Sequence, residues 1–204
     1  MPAKSYTPAE ASAIARLPLK AVHKVIDGNL IRPRRARQGH RIQRLLSPEQ
    51  IVYLRLEAEG VRLLPLESRR KLARAIESAP DTDSVAVAGG SALIVQVKRV
   101  RRDVQRELKR LHKAEHMAVS DPEIMSGVPV YKGTRIPVDL VAEMTAQGAT
   151  VEEILEGYPA LTREQVKLAP LYVAAFPRRG RPPRRPWAKQ GPIAVVRFPE
   201  TKKR

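Results

Sequence analysis

The first apolar pattern along the chain follows a helix start signal. Residues 7–10 (TPAE) combine a capping box with proline in the first helical turn, and apolar residues recur at helical spacing as far as Ala15. A second amphipathic helix is predicted from Pro18 to Gly28, where glycine ends it. Two short helices joined this tightly indicate a helix-turn-helix.

Two short extended arms are predicted next, in the segment NLIRPRRARQGHRIQRLL of residues 29–46. Arginines alternate with other residues along both arms, and the turn lies at Gln38-Gly39, so the segment resembles a basic wing. Residues 47–50 (SPEQ) cap a third helix, and residues 66–79 predict a fourth. These elements make up a first domain at residues 1–78.

Residues 79–118 predict a connector in two parts. The segment SVAVAGGSALIVQV has the pattern of a small β-hairpin across Gly89-Gly90. A charged helix follows, with an apolar stripe at Val100, Val104, Leu108 and Leu111. The hairpin is either an arm for dimer contacts or a plain spacer between two domains, and the pattern does not choose between them.

Three helices are predicted in a second domain at residues 119–177. A helix starts at Pro137 and ends near Gly148, and capping boxes at residues 150–153 (TVEE) and 162–165 (TREQ) start the next two. This spacing predicts a helix-turn-helix bundle. Pro170 falls inside the last helix and predicts a kink near its middle. Just before the domain's first helix, Arg135 is expected to pair with a nearby carboxylate.

The pattern predicts a mainly α fold, and composition and charge indicate where the protein is found and what kind of partner it binds. The chain has no cysteine, which excludes disulfides and Cys-ligated zinc, and it shows neither an apolar leader nor a bilayer-length apolar run, so we expect a cytoplasmic protein. The net charge of +17 calls for a polyanionic or acidic partner. Residues 1–78 carry 16 basic and 7 acidic side chains, residues 178–204 carry 10 and 1, and residues 119–177 carry 4 and 8. The second domain is therefore a poor phosphate binder.

The segments YTPAEASAIA, IDGNLIRP, GHR and SPEQIVYLRL resemble the winged-helix DNA-binding domains of MerR-like regulators. This resemblance implies that the second helix faces the major groove and that wing arginines grip phosphates or the minor groove. The residues concerned are Lys20, His23 and Lys24 on the helix, and Arg34, Arg35, Arg37 and Arg41 in the wing. The alternative is a basic face that is merely solvated.

The stretch DPEIMSGVPVYKGTRIPVDLVAEM followed by GATVEEILEGYPALTREQV closely resembles the domain-of-unknown-function family 433. The family includes VapB-type antitoxins of toxin-antitoxin pairs. The matching residues are Pro122, Gly127, Pro129, Gly133, Thr134, Arg135, Pro137, Tyr158, Pro159 and Leu161. With its acidic balance, this domain is interpreted as a dimerisation core, and a homodimer would place two N-terminal domains on a palindromic DNA site.

The tail at residues 178–204 alternates proline with arginine and has too little apolar area to fold alone, so we expect it to be disordered when free. The resemblance implies that such a tail wraps over a PIN-type ribonuclease toxin. Trp187 would fill an apolar groove, Ile193, Val195, Val196 and Phe198 would add a strand, and Arg178, Arg179, Arg181, Arg184 and Arg185 would meet catalytic carboxylates. The alternative is a nonspecific nucleic-acid tail.

One pattern suggests catalysis. Residues 112–116 (HKAEH) fit the HxxEH motif, in which two histidines bind zinc and the glutamate activates water. The surrounding lysines and arginines favour a solvated helix end instead. The sequence thus predicts no catalytic residue, no metal and no cofactor. It predicts an antitoxin that binds a ribonuclease toxin and its own operator DNA, and the alternative is a MerR-like regulator without a toxin.

Overall fold

The computed structural model describes residues 4–38, 41–87 and 93–178. Within these residues the chain is mainly helical, as the sequence predicts, and it has eight α-helices and three two-stranded antiparallel sheets. The helices are α1 (Pro8–Ala15), α2 (Leu19–Asp27), α3 (Pro48–Ala58), α4 (Leu66–Ser78), α5 (Lys98–Met117), α6 (Val138–Ala146), α7 (Val151–Gly157) and α8 (Arg163–Ala175). The strands are β1 (Arg34–Gln38), β2 (Arg41–Leu45), β3 (Ser84–Val87), β4 (Leu93–Gln96), β5 (Ala118–Val119) and β6 (Val130–Tyr131).

Local hydrogen bonds fix the helix starts. Side chains of Thr7, Ser47, Thr150 and Thr162 each accept a hydrogen bond from the backbone three residues later, and the Glu or Gln at that position accepts one in return. All four predicted capping boxes are therefore confirmed. Between α1 and α2, Arg16 adopts left-handed backbone angles (φ 53°), which turns the chain within a few residues.

A buried ionic group holds α4 against α3. The Glu57 carboxylate on α3 is only 3% exposed, and it accepts hydrogen bonds from Arg69 Nε on α4 at 2.9 Å and from the hydroxyl of Tyr53. Burial, together with the hydrogen bond to this carboxylate, raises the pKa of Tyr53 above its ordinary range. The glutamate is buried at low cost because both of its partners are charged or polar donors.

Arg101 ties α5 to the end of α4. Its side chain is 8% exposed and donates to the carbonyls of Ile76 (3.3 Å), Ala79 (2.8 Å) and Thr82, and to the Glu49 carboxylate at 3.1 Å. These carbonyls lie at and beyond the C-terminus of α4, where the helix itself offers them no donor. One guanidinium therefore holds together α3, α4 and α5.

The long helix α5 belongs to two hydrophobic cores. Val100, Val104, Leu108 and Leu111 pack into the core built by α1–α4, whereas Ala114 and Met117 pack into the core of α6–α8. The segment that the sequence describes as a connector is thus part of both packed units. No helix among the described residues is long and apolar enough to cross a bilayer.

The last helix, α8, also connects the two hydrophobic cores. α8 packs against α6, α5 and α1, and Ala175 near its end is 2% exposed inside the first core. The helix continues through Pro170, whose side chain is exposed, as far as Ala175.

The expected pairing of Arg135 is wrong: the side chain is exposed and has no carboxylate partner within the described residues, because the turn after β6 directs it to solvent.

Candidate nucleic-acid interface

The second helix presents a basic face to solvent. Val22, Val25 and Ile26 of α2 are buried at 0–7% exposure, and Lys20, His23 and Lys24 are exposed. The three exposed residues fall at positions i, i+3 and i+4, so they share one face of the helix. The amphipathic pattern alone produces this arrangement, since burying the valines turns the lysines outward.

The hairpin β1–β2 follows α2 and carries the predicted arginines. Arg34, Arg35 and Arg37 are exposed, and Arg41 begins β2 opposite Gln38. Ile42, opposite Arg37, is 71% exposed, so no other described residue covers this face of the hairpin. Residues 39 and 40 at the predicted tip lie outside the described residues.

An ion pair attaches the hairpin to the end of α2. Arg44 Nη1 on β2 donates to Asp27 Oδ1 at 2.7 Å. A polar hollow of about 370 Å³ lies between the two elements, lined by Asp27, Asn29, Arg32, Arg35 and Arg44 among others. Exposed ion pairs contribute little to the free energy of unfolding. This pair instead orients the hairpin beside the helix.

The C-terminal end of α8 reaches the other end of α2. Phe176 and Pro177 line an apolar groove of about 440 Å³ together with Leu19 and His23 of α2. Just beyond, Arg178 pairs with Asp139 of α6 at 3.0 Å. Phe176 and Pro177 therefore lie close to His23 on the basic face of α2.

Of the residues predicted to bind a toxin, only Arg178 lies within the described part of the chain, where its guanidinium is held by Asp139. The others lie outside the described residues; they are Arg179, Arg181, Arg184, Arg185, Trp187, Ile193, Val195, Val196 and Phe198.

The side chains of the HxxEH segment point to separate partners. His112 Nε2 and Tyr6 Oη are hydrogen-bonded at 3.2 Å and their rings are stacked, Glu115 pairs with Lys4 at 3.1 Å, and His116 Nδ1 lies 2.7 Å from a carbonyl of its own helix. Burial is the main cause that lowers the pKa of His112, with Lys4 second. Within the described residues no cluster of three His, Asp or Glu side chains could hold a metal.

A second basic surface escaped the sequence analysis. Helices α5 and α8 border a groove of about 820 Å³. Its lining residues are Arg102, Gln105, Arg106, Lys109, Arg110, Lys113, Arg163, Glu164, Lys167 and Leu168. The spacing of cations along α5 is visible in the sequence. The cations of α8 join them only through tertiary packing between distant segments, which the sequence does not reveal.

Three comparisons with known proteins bear on this chain. Residues 119–173 match the family described as "Protein of unknown function (DUF433)". The uncharacterized protein y4eO of Sinorhizobium fredii (strain NBRC 101917 / NGR234) is 30% identical over 189 residues, which are 84% of this chain and 81% of that protein. The X-ray crystal structure of Rv2018 from Mycobacterium tuberculosis aligns with a TM-score of 0.33 and 17% identity, covering 80% of this chain and 96% of that one.

Proposed function

This chain belongs to the same family as the rhizobial protein y4eO, and we propose that it is a DNA-binding antitoxin that represses its own operon and neutralises a partner ribonuclease. DNA binding is the part that the geometry supports best. The observation that carries it is the exposed basic face of α2 beside an arginine-bearing hairpin, joined by the Arg44–Asp27 pair.

In this proposal the N-terminal elements act as a winged helix. Lys20, His23 and Lys24 of α2 face base edges and phosphates in the major groove. An α-helix fits that groove, and these three residues lie on the side of α2 that faces solvent. The hairpin arginines contact the neighbouring backbone and set the register of the protein on the duplex. Helix α2 belongs to the same packed core as Ile31 and Leu46, which flank the hairpin on either side, and this supports docking as a rigid unit.

The DNA contact is tested by replacing Lys20 and Lys24 with glutamine and measuring binding to the duplex upstream of the protein's own gene. Each lost phosphate contact lowers the slope of log K against log salt by about 0.9, so we expect a slope smaller by roughly 1–2 and a weaker complex. The matched control replaces exposed Arg62 and Arg74, which removes the same charge. Equal binding by both double variants would refute the assignment.

The antitoxin part extends the resemblance to VapB-type antitoxins and is supported by charge. Residues 119–177 are acidic and contribute a packed helical core, which suits protein contacts better than phosphate contacts. The tail starts at Arg178, fixed to α6, and its arginines and Trp187 are suited to the acidic active site of a PIN-type nuclease.

This part is tested by purifying the full chain and a version that ends at Arg178, which keeps the pair with Asp139. Mass spectrometry should find a stoichiometric nuclease with the full chain alone. Trp187→Ala should release the nuclease and leave DNA affinity unchanged. Absence of a protein partner from both versions would favour the alternative, a MerR-like regulator whose steep salt dependence survives removal of the tail.

A further inference from the structure

We propose that the groove between α5 and α8 binds the phosphate backbone of duplex DNA without reading its sequence, as a contact surface separate from α2 and the hairpin. Seven of the ten residues that line it are lysine or arginine, and Glu164 is the one acidic residue among them. The inference shares its ligand with the proposed function, but none of the lining residues belongs to the α2–hairpin surface.

Part of the charge in this groove is uncompensated. Arg106, Arg110, Lys113 and Arg163 pair with Asp103, Glu107, Glu164 and Glu152, respectively. Arg102, Lys109 and Lys167 are exposed and make no hydrogen bond or ion pair within the described residues. Arg102 and Lys109 thus keep their charge without a partner among the described residues, whereas Lys167 lies near enough to Glu152 to help Arg163 lower the pKa of that carboxyl.

The cations on α5 form a straight row. Arg102, Arg106, Lys109 and Lys113 are spaced by four, three and four positions, which places them on one face of the helix. The opposite face carries Val104, Leu108 and Leu111, which are buried and fix the orientation of the row. At 1.5 Å per residue the row is about 16 Å long, which along the axis of a DNA duplex is about five base-pair steps.

The lining favours nucleic acid over an acidic protein. Protein interfaces are depleted in lysine at their centres and rely on aromatic residues, whereas Leu168, which is buried, is the one large apolar residue in this groove. Interfaces with DNA are far more positively charged. Among the described residues no aromatic side chain lines the groove as a stacking platform for single strands, which favours the duplex backbone as the ligand.

The test uses the full chain with Arg102, Lys109 and Lys167 all replaced by glutamine, and a random-sequence duplex as the probe. Fluorescence anisotropy across a salt series should give a slope smaller by about 2.7 and affinity reduced on the order of 100-fold at 0.1 M salt. A control with Arg62, Arg74 and Lys132 replaced by glutamine has the same net charge and exposed sites elsewhere. Circular dichroism and thermal unfolding establish that both triple variants are folded.

Unchanged duplex binding by the groove variant, or an equal loss in the control, overturns the proposal. So does a variant that keeps duplex affinity while losing affinity for poly-glutamate or for a single-stranded oligonucleotide, because the groove would then serve an acidic protein or a single strand. The Lys20 and Lys24 double variant, measured in parallel, separates the two surfaces. If it binds as the unmodified protein does while the groove variant fails, the proposed role of α2 falls and the groove assignment stands.

Discussion

Replacing Arg101 with leucine should destabilise the protein more than any exchange of an exposed arginine. The leucine keeps the apolar volume of the arginine stem but removes every donor. It leaves the Glu49 carboxylate and the carbonyls of Ile76, Ala79 and Thr82 without their partner. Since α4 ends at Ser78, the helix offers these carbonyls no replacement donor, and among the described residues only the Ala79 carbonyl keeps a partner, the Thr82 amide at 3.3 Å.

The size of the expected loss of stability follows from the burial of the groups that Arg101 contacts. Removing one member of a buried ion pair costs about 3–5 kcal/mol, and each buried acceptor left unsatisfied costs about 1–3 kcal/mol. The Glu49 side chain is 25% exposed and Thr82 lies in an exposed turn, so water recovers part of this loss. We therefore expect about 3–4 kcal/mol in total, a large share of the roughly 5–15 kcal/mol by which such proteins are stable.

The assay is urea unfolding followed by circular dichroism. Arg102→Leu is the matched control, because Arg102 is the neighbouring residue on the same helix, is exposed and makes no ion pair within the described residues. It should change the free energy of unfolding by about 0.5 kcal/mol or less. A double-mutant cycle with Glu49→Gln isolates the ionic part. Equal stability of the two leucine variants would refute the role assigned to Arg101.

Three further predictions concern the two cores and their junction. Ala175→Asp should lower the melting temperature of the whole chain and weaken DNA binding, since it places a carboxylate in the first core, whereas Ala174→Asp on the exposed side should do neither. Pro170→Ala should raise the free energy of unfolding by about 2 kcal/mol in urea titrations, because it restores a helix hydrogen bond at an exposed position. An unchanged free energy of unfolding would mean that the packing of α8 already accommodates the proline. His112, whose pKa lies below its ordinary 6.5, favours the fold when neutral, so stability should fall as pH drops from 6.5 toward that lowered pKa. His112→Gln should flatten this dependence in pH-resolved melting.

Features set by neighbouring residues could be predicted from the sequence. The four capping boxes, the amphipathic faces of α2 and α5 and the antiparallel pairing of β1 with β2 all depend on residues close in the chain. Burial of Val22 and Val25 was enough to place Lys20 and Lys24 outside. For this reason the proposed DNA-contacting face follows directly from the helical pattern.

Features that join distant segments could not be predicted. The sequence gives no local sign that Ala175 enters the core of α1–α4, or that Arg69 reaches Glu57 and Arg101 reaches Glu49. The groove between α5 and α8 was missed for the same reason, since six of its described lining residues come from α5 and four come from α8. Arg135 was assigned a partner because charged residues near turns often have one, but here the turn after β6 leaves it in solvent.

The position of α8 against α1 also bears on how the protein is made. α1 is among the first elements to leave the ribosome and α8 the last, and at about 5–20 residues per second the interval between them is roughly 8–30 s. During that time the side of α1 that α8 covers is exposed to water and to chaperones. We expect the N-terminal half to reach its final packing only once synthesis is nearly complete, so that interrupted translation leaves the first core incomplete.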